Sequence, residues 1–166
     1  MILFICCFVA QLGWAQTEKV SSALKEKAEN AGMEIVNKET NPMDPVSVGA
    51  TLVWSEDKTQ IAIVLKASIA FNWHIYAYVS DTQPYISTKL KLDLPEGISP
   101  IGEWKLPYSE PYDDGVYVYY GEPVFIQYCA INSAVKNSKI SCGLYYQTCD
   151  RYKCFPPETK TKELEI

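Results

Sequence analysis

From Val46 onward, apolar residues recur with a period of two, which predicts strands rather than helices. STKLKLDL at 87–94 is the clearest case: Leu90, Leu92 and Leu94 share one face, Lys89, Lys91 and Asp93 the other. ATLVW (50–54) and IAIVLKASI (61–69) flank a turn at Ser55–Lys58, which reads as a hairpin. WHIYAYV (73–79), VYVYY (116–120), PVFIQYCAI (123–131), KISCGLYYQTC (139–149) and ETKTKELEI (158–166) complete the set, the last with Leu164 and Ile166 on one face. Between Ile98 and Gly115 the pattern lapses into a stretch rich in Pro, Tyr and Glu, which predicts a long loop. No helical stretch separates the strands, so the crossovers of a parallel α/β fold are missing. Seven or eight short strands in about 120 residues predict an all-β fold, a β-sandwich or a small barrel.

Upstream the pattern changes. Residues 17–31 (TEKVSSALKEKAENA) are polar and helix-favouring, with a thin apolar stripe of Val20, Leu24 and Ala28 and Gly32 as a stop. This predicts a short surface helix or a loosely ordered arm. Residues 37–45 (NKETNPMDP) have linker composition, so the compact domain is expected over 46–166, with 16–45 as arm and linker. The opening MILFICCFVAQLGWA carries no charge, and its apolar run Ile2–Ala10 is too short to span a bilayer. It fits the h-region of a secretory signal over 1–15, with Ala15 at the cleavage point, although no Lys or Arg precedes it as in a complete signal. An exported chain and an oxidising compartment follow.

Charge and motifs exclude several function classes. The formal net charge is −5 and no basic patch appears, which argues against nucleic acid as a partner. One histidine, no nucleophile elbow and no glycine-rich phosphate loop argue against a hydrolase or transferase.

The candidate chemistry lies in cysteines. Cys6 and Cys7 leave with the signal, and Cys129, Cys142, Cys149 and Cys154 remain. Cys129 and Cys142 lie on neighbouring apolar strands, as buried thiols or bridged to each other; the first reading is favoured. Alternation through 139–149 puts Ile140, Cys142, Leu144, Tyr146 and Thr148 on one face and Ser141, Gly143, Tyr145, Gln147 and Cys149 on the other. Cys142 then belongs to the core and Cys149 does not. Cys149 and Cys154 flank the four residues Asp150–Lys153, a hairpin loop short enough for a disulfide to close. Such a bridge constrains the unfolded chain little, so it is a weak stabiliser. At a rim it is open to exchange with a partner thiolate. Arg151 and Lys153 favour a thiolate there and Asp150 opposes it. Three readings stay open from spacing alone: a structural staple, an exchangeable pair, or half of a metal site. The last is weakest, because His74 is the sole histidine and Cys142 faces away. No cofactor is implied.

YYQTCDRYKCFPPETKTKELEI (145–166) resembles the end of the N-terminal periplasmic domain of the bacterial thiol:disulfide interchange protein DsbD. The matching positions are Tyr146, Gln147, Cys149, Cys154, Phe155, Pro156, Pro157 and Glu158–Thr161. FNWHIYAYV (71–79) and LDLPEGI (92–98) resemble two further family segments, so the likeness covers about 46–166. The resemblance implies an immunoglobulin-like β-sandwich in the periplasm of a Gram-negative bacterium. Its cysteine pair, near one end, cycles between a disulfide and two thiols. It implies a membrane electron donor and periplasmic thioredoxin-fold partners: disulfide isomerases and the thioredoxin-like proteins of cytochrome c biogenesis. By family order Cys154 forms the mixed disulfide and Cys149 resolves it. The resemblance also implies a cap over the pair, for which Trp104–Tyr117, with Tyr108 and Tyr112, is the candidate. Tyr76 matches a family tyrosine near the pair, His74 stands where relatives carry tyrosine or histidine, and Phe155 follows the second cysteine. Full-length family proteins continue into a transmembrane conduit and a thioredoxin-like domain. The chain departs from the family in a shorter loop between the cysteines, a different shape over 98–122, and the extra Cys129 and Cys142. The competing reading is a non-catalytic immunoglobulin-like binding or adaptor domain with a structural disulfide.

Overall fold

The computed structural model describes residues 19–133, 135 and 137–166, so the expected signal segment lies outside the described residues. One helix, α1 (Ser22–Glu34), precedes the strands β1 (Val46–Trp54), β2 (Gln60–Ile69), β3 (His74–Val79), β4 (Lys89–Asp93), β5 (Ile98–Lys105), β6 (Glu110–Asp113), β7 (Val116–Tyr119), β8 (Val124–Ile131), β9 (Lys139–Tyr146), β10 (Thr148–Cys149) and β11 (Glu158–Glu165). They form three sheets, ordered β1-β2-β8-β5, β10-β3-β7-β6 and β11-β9-β4. Every ladder is antiparallel. The fold is an all-β, immunoglobulin-like sandwich.

All three sheets meet in one core. β2 supplies Ile61, Ile63 and Leu65, β8 supplies Phe125 and Cys129, β9 supplies Ile140, Cys142, Leu144 and Tyr146, and Trp73, Ile75 and Tyr119 enter from the site end. Full burial of each such aliphatic side chain stabilises by ~1.5–3 kcal/mol. A second cluster lies on the opposite face of β2 and β8, where Leu24 and Ala28 of α1 cover Ala62, Val64, Ile126 and Tyr128. With both faces covered, β2 is buried from Ile61 to Ala67, which is why that segment shows no polar–apolar alternation. Lys66 alone breaks the run, and its buried ammonium is held by Glu122 at 2.9 Å and by the Ile35 carbonyl at 3.0 Å.

Three expectations are corrected by this architecture. The expected short helix forms, but it does not stop at Gly32. Ser21 caps it by accepting from the Leu24 amide at 3.2 Å, and it runs to Glu34. Gly32 lies inside it because a Cβ there would come within 2.7 Å of Val124 Cγ1, so only glycine lets the helix sit this close to the sheet. The predicted loop 98–115 contains β5 and β6. Both are edge strands. Pro100 is tolerated there, and β5 shifts register between Ile101 and Lys105, where Gly102 takes φ +67°. β6 is exposed at every position, so neither carries a clean alternation.

The third correction concerns Cys149. β9 ends at Tyr146, paired with Glu158 of β11, whereas Thr148 and Cys149 pair with Ile75 and His74 of β3. The chain changes sheets at Gln147, whose side-chain oxygen accepts from the Ile86 amide at 3.0 Å. Parity does not carry through that step, so Thr148 and Cys149 are both buried, each 1% exposed. Cys142 is a core residue as the alternation predicts. Cys129 and Cys142 are free, buried thiols on strands of different sheets rather than neighbours.

Candidate redox site

The site lies at the end of the sandwich where β10 runs against β3. Cys149 and Cys154 are bonded, with S–S 2.00 Å and Cα atoms 4.0 Å apart. The hairpin around them is pinned by its backbone: the Asp150 amide donates to the Lys153 carbonyl and the Phe155 amide to the Thr148 carbonyl, both at 2.9 Å. The Asp150 carboxylate accepts from the amides of Tyr152 at 2.7 Å and Lys153 at 2.8 Å. The Tyr152 amide above all holds that carboxyl below its ordinary range. Asp150 thus opposes a nearby thiolate electrostatically while ordering the loop that presents it.

The two sulfurs sit in unlike surroundings. Cys154 is exposed on the hairpin, whereas Cys149 packs with Tyr76, Val116 and Val118. The expectation that Cys149 stands at the open rim is therefore corrected: Cys154 does. The Tyr76 hydroxyl donates to Cys149 Sγ at 3.1 Å. Burial, then the neighbouring Tyr85, Tyr112 and Tyr120, push the Tyr76 phenol well above its ordinary value, so it remains a donor.

His74 pairs directly across from Cys149 and is 2% exposed. Its ring centroid lies 4.6 Å from Tyr112, 5.1 Å from Tyr76 and 5.7 Å from Tyr120. Its Nε2 is buried without a hydrogen-bond partner. Burial lowers its pKa below the ordinary 6.5, with the Asp150 carboxylate pulling the other way, so the imidazole is neutral at neutral pH. On the outer side Phe155 stacks on Trp73, centroids 5.1 Å apart, and Lys153 Nζ lies 5.0 Å from the Phe155 ring and 5.4 Å from the Trp73 ring. An open groove of about 710 Å³ runs between these rings and the loop, lined by Trp73, His74, Tyr112, Tyr120, Asp150 and Lys153 among others.

The structure brings together Cys149, Cys154, His74, Tyr76, Tyr112 and Phe155 from the expected set. Tyr108 is elsewhere: it is 82% exposed in the β5–β6 connection and makes no ring contact among the described residues. The candidate cap 104–117 is not one loop but the end of β5, β6 and the start of β7, and of its aromatics Tyr112 reaches His74. Sequence reasoning missed Trp73, Tyr85 and Tyr120. Tyr85 stacks on Tyr76 at 4.6 Å from a loop whose register no periodicity reveals. Tyr120 follows the Ile75–Tyr119 pair, so only strand pairing brings it to His74. Among the described residues, no group of three or more His, Cys, Asp or Glu side chains is placed to hold a metal ion. No helix among them is long and apolar enough to cross a membrane.

The chain matches the family model described as "Thiol:disulfide interchange protein DsbD, N-terminal" over residues 42–166. No curated protein sequence is significantly similar to it. Among solved structures, the reduced DsbD N-terminal domain of Neisseria meningitidis aligns with TM-score 0.44 and 16% identity, covering 76% of this chain and 89% of that one. A chain from the complex between the DsbD N-terminal and PilB N-terminal domains of the same organism gives TM-score 0.44, 16% identity, and 76% and 88% coverage. The GAE domain of yeast GGA1 gives TM-score 0.41, 15% identity, and 78% and 98% coverage. Structural likeness at these scores decides nothing by itself. The family match spans most of the chain, including every strand and the cysteine hairpin, so this protein belongs to the family of the DsbD N-terminal domain and is a thiol–disulfide exchange domain.

Proposed function

We propose that the Cys149–Cys154 disulfide is a reversible carrier that hands reducing equivalents to thioredoxin-fold partners in the periplasm and is itself reduced by a membrane electron donor. The observation that carries the reading is the asymmetry of the pair: one sulfur on an exposed hairpin, the other buried beside a hydroxyl donor. Exchange needs one accessible sulfur to form the mixed disulfide and a second held nearby to resolve it. Cys154 suits the first role and Cys149 the second. Phe155, stacked on the buried Trp73, forms an aromatic shoulder beside Cys154 against which a partner can pack, and the Tyr112 ring lies against His74. The compact exchange unit is 46–166, and α1 packs onto it through Leu24 and Ala28.

The test is trapping. Reduced Cys149→Ser protein, mixed with an oxidised thioredoxin-fold protein, is expected to accumulate a covalent complex through Cys154, whereas Cys154→Ser accumulates none. Absence of a complex with both variants would sink the carrier reading. A bridge that thiol buffers reduce only when the fold is lost would favour the adaptor reading, in which the disulfide is a staple.

A further inference from the structure

His74 is a buried, neutral imidazole paired with Cys149, the cysteine that has to lose a proton when the mixed disulfide is resolved. We propose that His74 is the proton acceptor for the Cys149 thiol during resolution of the mixed disulfide. The inference rests on the carrier reading above.

The step balances as follows. In the mixed disulfide, Cys154 Sγ is bonded to the partner's sulfur and Cys149 is a thiol. Resolution forms the Cys149–Cys154 bond, breaks the bond from Cys154 to the partner, and leaves the electron pair on the partner's sulfur. The cysteine pair is oxidised by two electrons and the partner disulfide is reduced by two. The Cys149 proton has to leave before or during attack, because the thiolate is the nucleophile. It passes to His74 and from there to the departing thiolate or to solvent in the groove.

Geometry narrows the acceptor to His74. Cys149 is 1% exposed, so bulk water has little access to it. His74 is its direct antiparallel partner. Side chains so paired share a face, with Cβ atoms about 5 Å apart. Tyr76, two residues along the same face, touches both: its hydroxyl donates to Cys149 Sγ and its ring lies edge-on to His74 at 5.1 Å. The other groups around the imidazole are poor bases. Tyr76 of β3, Tyr112 of β6 and Tyr120 just beyond β7 are phenols. Asp150 of the cysteine loop is committed to two loop amides. Arg151 and Lys153, which line the groove, are cations. Among the described residues around Cys149, His74 Nε2 is the basic nitrogen that is buried without a hydrogen-bond partner. The Asp150 carboxylate, which interacts electrostatically with the ring, stabilises the imidazolium once the proton arrives.

Ellman's reagent isolates the step. Added to the reduced protein, it is captured by Cys154 with release of one thionitrobenzoate. Attack by Cys149 then releases a second, whose rate is the resolution rate. Cys129 and Cys142 stay buried and silent. For wild type, the second rate is expected to fall as pH drops through a midpoint below 6.5, where His74 becomes charged and can no longer accept. In His74→Phe the second release at neutral pH is expected to slow by about 10²-fold, the lower range of general-base effects, and to climb steadily with pH without that midpoint. The first release is expected to be unchanged. A wild-type profile with no inflection below neutrality overturns the proposal without any variant. So does a folded His74→Phe, or a folded His74→Gln should the phenylalanine variant not fold, that keeps the wild-type rate and profile. Release of a single thionitrobenzoate by wild type overturns the carrier reading, and this inference with it.

Discussion

Cys129 and Cys142 project into the core from β8 and β9, while Cys149 and Cys154 face each other across a hairpin at the end of the sandwich. The four are the same residue in the same compartment, yet their environments separate them. Burial alone pushes the Cys129 thiol up to about 12 and the Cys142 thiol up to about 11. Neither is ionised at neutral pH, and neither can be reached. At the hairpin one sulfur is in solvent and the other has a hydroxyl donor 3.1 Å away. Reactivity here is a property of the enclosure, not of cysteine content.

The strongest way to break this contrast is chemical. After mild reduction of the folded protein, an alkylating reagent is expected to modify the exposed Cys154 first and to leave Cys129 and Cys142 untouched until denaturant is added. Mass spectrometry of the labelled peptides reads this as all or none. Labelling of either core thiol in the native state would mean that the core opens and that the contrast fails.

A smaller effect is expected from Tyr76→Phe, which deletes the hydroxyl donor and keeps the ring that packs on Tyr85. A hydrogen bond to a charged group is worth ~1.5–3 kcal/mol, so the Cys149 thiolate should become harder to form by roughly tenfold or more. The measurement is the second thionitrobenzoate release near neutral pH, and an unchanged rate would show that the Tyr76 contact is packing only.

The smallest effect is expected from Asp150→Asn. Asp150 raises the His74 pKa against the burial that lowers it, so removing the charge should move the His74 midpoint further down. His74 is the sole histidine, so its proton resonances titrate without overlap. Asp150's own pKa is lowered by the fold. Its contribution to loop order is therefore present above its ordinary 3.8 and is lost as pH falls through the lower folded value. Loop amide signals that stay unchanged down to pH 2 would contradict that sign.

Much of the sandwich was legible in the chain. Leu90, Leu92 and Leu94 alternate with Lys89, Lys91 and Asp93 because β4 has one face on the core and one in water. Edge strands were harder: β5 and β6 carry Pro100 and Pro111, face solvent, and so lose the pattern that marks a strand. The helix stripe of Leu24 and Ala28 was visible, but its docking was not, because the sheet face it covers is defined only by β2 and β8 together. At the site, the motif around Cys149 and Cys154 singles out the pair, and the resemblance points to Tyr76, His74, Tyr112 and Phe155 beside it. Tyr108, in the same candidate cap, lies elsewhere.

By itself the sequence determined an all-β chain, a short-loop cysteine pair and a core thiol at Cys142, since period, turn composition and spacing are local properties. It could not determine which sulfur is buried. That depends on the step at Gln147, where the strand leaves β11 and β4 and joins β3, and parity along a strand says nothing about a change of sheet. The aromatic enclosure of His74 is likewise tertiary: residues 74, 112, 120 and 150 come together only when β3, β6 and β7 pair and the hairpin folds against them. A buried imidazole is left without a hydrogen-bond partner, and its charged form is disfavoured, where water has been excluded, and exclusion is decided by packing.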